Sequence, residues 1–99
     1  MDELLSHEAF TQYANTKFLT QYDEVRGVEL ELVEVSDLKQ SARQEQFAIV
    51  FRGPLDTFLG QGTRCFRHEE MGQFELFLVP ISQDDKGFCY EAIFNRIRE

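Results

Sequence analysis

The sequence has no tryptophan and only two cysteines among its 99 residues. A secreted scaffold of this size usually carries more cysteines at close spacing. Cys65 and Cys89 therefore read as free thiols, small strand residues in a reducing cytoplasm. No apolar run approaches the roughly 20 residues of a membrane-spanning helix. The opening Met1-Asp2-Glu3-Leu4-Leu5 lacks the basic start and apolar stretch of a signal peptide. Positive charge is scarce: 10 Lys and Arg stand against 18 Asp and Glu, a net charge of −8. The basic clusters are small, Arg64 with Arg67 and His68, and Arg96 with Arg98. Binding a phosphate backbone requires a Lys/Arg patch that releases counterions, so neither nucleic acid nor an anionic membrane is an expected partner.

Catalytic patterns are absent as well. Cys65 and His68 have Cys-x-x-His spacing, but a zinc site needs a second pair, and only Cys89 and His7 remain. On a strand, Cys65 and His68 also point to opposite faces. No metal or other cofactor is expected. A cysteine nucleophile needs a thiolate-stabilising site and an orienting group; Arg64 and Arg67 flank Cys65 in sequence, but neighbours on a strand diverge. Gly60-Gln61-Gly62 has no helix after it to hold a phosphate. The acidic pairs Glu29/Glu31, Glu69/Glu70 and Asp84/Asp85 read as solvated surface without a partner that separates their pKa values. Glu75 and Glu91 lie inside apolar strands and are expected to pair with Arg52, Arg64 or Arg67 across the sheet.

What is present is phenylalanine, ten of them, in a chain of one-domain length. Fully burying each is worth on the order of 1.5–3 kcal/mol. Ser6 can cap a helix over about residues 6–14, with Glu8 in its first turn and Phe10, Tyr13 and Ala14 as its apolar stripe. Leu4 and Leu5 are expected beside that stripe, and Asn15 is a suitable stop. The helix is too short to stand alone and must lie on the body, plugging one end of it. Six strands follow, over about residues 17–22, 28–36, 46–52, 63–68, 73–79 and 88–97. Alternation in the second slips at Leu32-Val33, which predicts a bulge near Leu32–Glu34. Residues 39–45 read as a loop. Glu69–Gly72 makes a tight hairpin, and Pro80 closes the fifth strand. That strand is apolar on both faces, with Phe74, Leu76 and Leu78 on one and Phe77 and Val79 on the other; a central position or cover by the helix would explain it. The reading is one mainly β domain over residues 1–99: a small antiparallel six-stranded barrel or sandwich with one short N-terminal α-helix.

Several segments occur together: Phe47-Ala48-Ile49-Val50-Phe51-Arg52-Gly53-Pro54, Leu59-Gly60-Gln61-Gly62-Thr63, His68-Glu69 with Gly72, Glu75-Leu76-Phe77-Leu78-Val79-Pro80-Ile81 and Tyr90-Glu91-Ala92-Ile93-Phe94-Asn95. Together they resemble an uncharacterised bacterial family of single-domain proteins of about this length, known only as a domain of unknown function. The resemblance extends from Glu8–Phe10 to Asn95. It implies a free-standing bacterial domain and brings no activity, cofactor or catalytic residue. In the family pattern an aromatic follows the Gln-Gly-Thr segment; here Arg64 stands in that place.

The connection from Gly53 to Gly62 is the most suggestive segment. It is longer than an ordinary hairpin loop and carries Leu55, Phe58 and Leu59. These either fold back and cap the core or form a contact for another protein. Glu29, Glu31 and Glu34 offer an acidic sheet surface suited to a basic partner. The expectation is a non-enzymatic protein-binding or assembly module, with self-association into a homo-oligomer left open. One alternative is a small barrel holding an apolar small molecule among its Phe side chains, with or without turnover. Another is an acidic inhibitor that mimics nucleic acid.

Overall fold

The helix opens with a cap. Ser6 has extended backbone and its hydroxyl accepts from the Ala9 N–H at 3.0 Å, so the helix α1 starts at His7 and runs His7–Gln12. It ends two residues before the sequence suggested, with Tyr13 as C-cap. Asn15 then takes a left-handed turn, φ 68°, and donates to Leu32 O at 2.7 Å. This bond points the chain directly into the first strand.

The computed structural model describes residues 5–23 and 25–97; Leu4 and Arg98 lie outside them. The strands are β1 (Lys17–Gln21), β2 (Gly27–Val35), β3 (Lys39–Gln40), β4 (Gln44–Gly53), β5 (Gly62–His68), β6 (Gly72–Asp84) and β7 (Gly87–Ile97). All pairings are antiparallel. The sheet order is β2-β1-β5-β6-β7-β4-β3, and β2 also pairs with β4. That last pairing closes six strands into a barrel, so the sandwich alternative falls away. The two-residue β3 folds onto β4 where a plain loop was expected: Lys39 and Gln40 pair with Gln46 and Glu45, and the Ser41 N–H donates to Gln44 O at 2.8 Å, which fixes a tight turn. The ring of pairings is complete, but the β6–β7 ladder covers only Val79–Glu91 to Asp84–Gly87, so the two strands part toward the end where α1 lies.

The bulge falls where the alternation slipped. Leu32 pairs with Phe51 but Glu34 pairs with Val50, so Val33 is the extra residue. A second bulge was not foreseen. Pro80 does not end β6: it pairs with Tyr90, the register shifts between Pro80 and Ser82, and the strand continues to Asp84. The irregularity accommodates a residue that lacks an N–H.

The interior is aromatic. Phe10, Phe18, Phe51, Phe66 and Tyr90 are fully buried. Phe51 and Phe66 stack at 5.1 Å, and Phe18 meets Phe51 edge-on at 5.3 Å. At the end where β1 begins, α1 inserts Phe10 among Phe18, Phe47, Phe74 and Phe94. The opposite end is closed by the connection between β4 and β5. No helix among the described residues is long and apolar enough to cross a membrane.

Candidate partner-contact surfaces

The connection between β4 and β5 divides between the two roles weighed for it. Leu59 is fully buried and seals the barrel end. It is therefore not available as an outward contact. Its N–H donates to the Tyr90 hydroxyl at 3.1 Å, so the loop is tied to β7 from inside. Phe58, one residue earlier, is 51% exposed and Leu55 is 46% exposed. Phe58 is not loose: its ring stands edge-on against Phe88 at 5.1 Å. Arg64 fastens the same end. It lies on the inward parity of β5, with Phe66 and His68, and donates to Gly60 O at 3.1 Å and Gln21 O at 3.3 Å. The cation thus clips the loop to the end of β1.

Tyr90 carries a testable consequence. Burial pushes its phenol pKa above the ordinary value of 10.0, while the Leu59 N–H and the nearby Arg64 pull it part of the way back. A raised folded-state value means that the fold favours the protonated phenol. That contribution is fully present below the unfolded value and is lost as pH rises through the folded one. Tyr90→Phe removes the acceptor and strands a buried N–H, so it should cost about 1–3 kcal/mol at neutral pH. Urea unfolding measures the loss, and alkaline titration of phenolate absorbance should lose its highest-pH component.

The three glutamates do not form one acidic array. Glu29 and Glu31 face outward from β2, but Glu31 pairs in register with Lys17 on one side and Arg52 on the other. Both acids line a groove of about 550 Å³ together with Lys17, Arg52, Lys86 and the loop residues Pro54, Asp56 and Thr57. Glu34 lies beyond the bulge, opposite Val50. Cations interleave with carboxylates here, which is unlike the one-sign face of a phosphate backbone. The expected ion pairs of Glu75 and Glu91 are not formed. Among the described residues the pairs are Arg26–Asp23 at 3.4 Å and Arg96–Glu45 at 3.9 Å. Glu75 lies opposite Cys65 and Glu91 opposite Val50 and Val79, so register gives neither a cation directly across.

A larger groove, about 770 Å³, runs beside the β5–β6 hairpin and is lined by Tyr13, Lys17, Glu29, Arg67, His68 and Glu70 among others. His68 looks chemical in sequence but is fully engaged. Its Nδ1 accepts from the Glu70 and Met71 N–H groups, both at 3.0 Å. Its Nε2 lies 3.0 Å from Thr16 Oγ1, which itself donates to Tyr13 O at 2.6 Å. These bonds fit one neutral tautomer, protonated at Nε2. Cys65 is exposed on the other face of β5, and Cys89 is opposite Ser82, seven residues along β6 from the partner of Cys65. The thiols therefore do not meet. Among the described residues no group of three His, Cys, Asp or Glu side chains is placed to hold a metal ion.

One surface escaped the sequence reading. Phe77, on the outer face of β6, is 52% exposed, and Ile93, on the outer face of β7, is 62% exposed. The helix does not cover Phe77, because α1 lies at the barrel end against Phe74 and Phe94. The two-faced apolar pattern of β6 was the signal; of its two readings the central position holds, with β5 and β7 on either side, and cover by the helix does not.

The fold and these surfaces define a single closed antiparallel β-barrel whose exposed apolar side chains sit on rigid supports. The chain belongs to the family described as "Domain of unknown function (DUF6916)", whose model matches residues 5–94. No curated protein and no solved structure matches the chain.

Proposed function

We propose that this domain is a non-enzymatic protein-binding module that presents the Leu55–Phe58 loop to another protein. The observation that carries the proposal is the seating of Phe58. Its ring is held by Phe88, its neighbour Leu59 is locked to Tyr90, and half its surface still faces water. Ordering costs have already been met in such a loop, so binding loses less entropy than at a flexible one. Aromatic anchors of this kind tend to dominate interface energies. The adjacent groove, with Glu29 and Glu31 among its carboxylates, offers polar partners at the rim. An apolar ligand inside the barrel has less support, because the interior is occupied by rings in mutual contact.

The test is affinity purification of the tagged chain from the organism that encodes it. A stoichiometric partner is expected with the wild type and should be lost with Phe58→Asp. Phe58 is half exposed, so the variant should fold, which circular dichroism would verify. Recovery of the free chain alone, or a partner retained by Phe58→Asp, would refute the proposal.

A further inference from the structure

The β6–β7 ladder stops at Val79–Glu91, and the residues of β7 beyond it are paired on one side, to β4. Which backbone groups are left over follows from β4. Ala48 O accepts from the Ser36 N–H, and the Ala48 N–H donates to Ser36 Oγ, both at 2.9 Å. Ala48 therefore turns its backbone away from β7, and its neighbours Phe47 and Ile49 turn theirs toward Phe94 and Ala92. By the same alternation Ile93, Asn95 and Ile97 point their N–H and C=O groups away from β4, into the space where β6 has parted. Among the described residues no strand pairs with them there. Their side chains face outward and are exposed, Ile93 by 62% and Ile97 by 78%.

A free edge of this kind is complementary to another extended backbone, and the side chains choose whose. The run Ile93-Phe94-Asn95-Arg96-Ile97 is self-complementary about Asn95. Paired antiparallel with its own copy across a twofold axis at Asn95, it sets Asn95 against Asn95, Ile93 against Ile97, and Phe94 against Arg96. The last contact is one the guanidinium already makes within the chain, 5.3 Å from the Phe94 ring centre. No acidic residue lies between Ala92 and Ile97, in a chain of net charge −8, so the copies meet where like charges are fewest. The facing edge of β6 lacks this property: a twofold pairing over Gln73–Phe77 would set Glu75 against itself. We infer that two copies of this chain associate through β7, Ile93–Ile97 of one pairing antiparallel with Ile93–Ile97 of the other. Only Ile93, Asn95 and Ile97 exchange backbone bonds, so the interface is small and the dimer weak, with a dissociation constant on the order of 10–100 μM. The inference does not depend on the Phe58 loop and would survive its failure.

The experiment is sedimentation equilibrium of the full chain from about 10 μM to about 1 mM, where a monomer–dimer equilibrium is expected. Asn95→Pro removes an N–H that the monomer does not use, on a free edge where proline is tolerated, and should weaken association by about tenfold or more. Asn95→Ala keeps that N–H and should weaken it much less. Two double variants test the register at exposed positions. Ile93→Lys/Ile97→Lys sets like charges opposite each other and should stay monomeric; Ile93→Lys/Ile97→Glu sets opposite charges there and should dimerise. Circular dichroism verifies that each variant folds, and if Asn95→Pro does not, the two double variants decide. Phe58→Asp should dimerise as the wild type does. Any of four results would overturn the inference: a wild-type chain still monomeric at about 1 mM, association unchanged in a folded Asn95→Pro, equal behaviour of the two double variants, or a dimer lost with Phe58→Asp.

Discussion

Phe10→Ala is expected to lower stability by about 3–5 kcal/mol, the usual cost of emptying a buried Phe site, and to detach the helix as it does so. Phe10 is the one fully buried residue of α1. Its ring touches four others, with centroids 5.4 Å from Phe94, 6.0 Å from Phe74, 6.3 Å from Phe47 and 6.4 Å from Phe18. The location explains why so much rests on it. The register between β6 and β7 runs from Asp84–Gly87 only as far as Val79–Glu91. Beyond that pair Phe74 and Phe94 face inward from strands that no longer share a ladder, and Phe10 fills the space between them.

A six-residue helix has almost no stability of its own. Its other ties are smaller: Ala9 packs on the core, the His7 ring stands edge-on to Phe47 at 5.2 Å, His7 Nε2 meets Ser36 O at 2.8 Å, and the Arg96 guanidinium reaches Leu5 O. None of them replaces the buried ring. The expected result is therefore twofold, a lower urea midpoint and loss of hydrogen-exchange protection in α1 before the barrel opens. Phe10→Leu, which keeps most of the volume, should lose roughly a third as much. A Phe10→Ala protein within about 1 kcal/mol of wild type, with its helix amides still protected, would show that the helix is not the plug described.

The barrel was legible in the sequence because alternation is a strong signal wherever one face is buried. Phe47, Ile49 and Phe51 on β4 and Tyr90 and Ala92 on β7 repeat every second residue and all point inward. Even the bulge was readable, since a slip in alternation has few other physical causes. Three features were not readable, each for its own reason. Pro80 inside β6 depends on a bulge whose position is set by β7, a long-range partner. Leu59 and Phe58 are neighbours in a loop without periodicity, so nothing local decides which is buried; the Tyr90 hydroxyl does, from 31 residues away. The exposure of Phe77 and Ile93 depends on where the helix lies, and apolar outer positions read the same whether or not an element covers them. The candidate surfaces were thus visible as residues but not as surfaces.

Gly87→Ala should be the most damaging small substitution in the chain, costing about 3 kcal/mol or more, by overpacking and an unfavourable backbone together. A methyl group at Gly87 would stand 2.1 Å from the Gly53 carbonyl oxygen and 3.0 Å from Arg52 Cγ. The oxygen belongs to the backbone of β4, so no side-chain rotation relieves the clash. Strand β4 cannot retreat easily either, since Gly53 is itself packed on Leu30, whose Cδ2 would lie 2.4 Å from a methyl there. Two glycines therefore let β4 and β7 cross tightly at the end where the Asp84–Gly87 hairpin turns, its Asp84 carboxylate accepting the Lys86 and Gly87 N–H groups. Forcing them apart would disturb the Gly53–Phe88 pairing, then the Phe88 ring that holds Phe58, and with it the proposed contact loop. Gly60→Ala is the matched control: nothing lies within 4 Å of its added methyl and its φ is not left-handed, so it should be neutral or stabilising by up to about 1 kcal/mol. Thermal and urea unfolding of the two variants compare them directly. If Gly87→Ala unfolds too early for equilibrium work, its Phe58-dependent partner binding at low temperature still reports on the same end of the barrel, and binding at wild-type strength would show that β4 and β7 are not in such close approach.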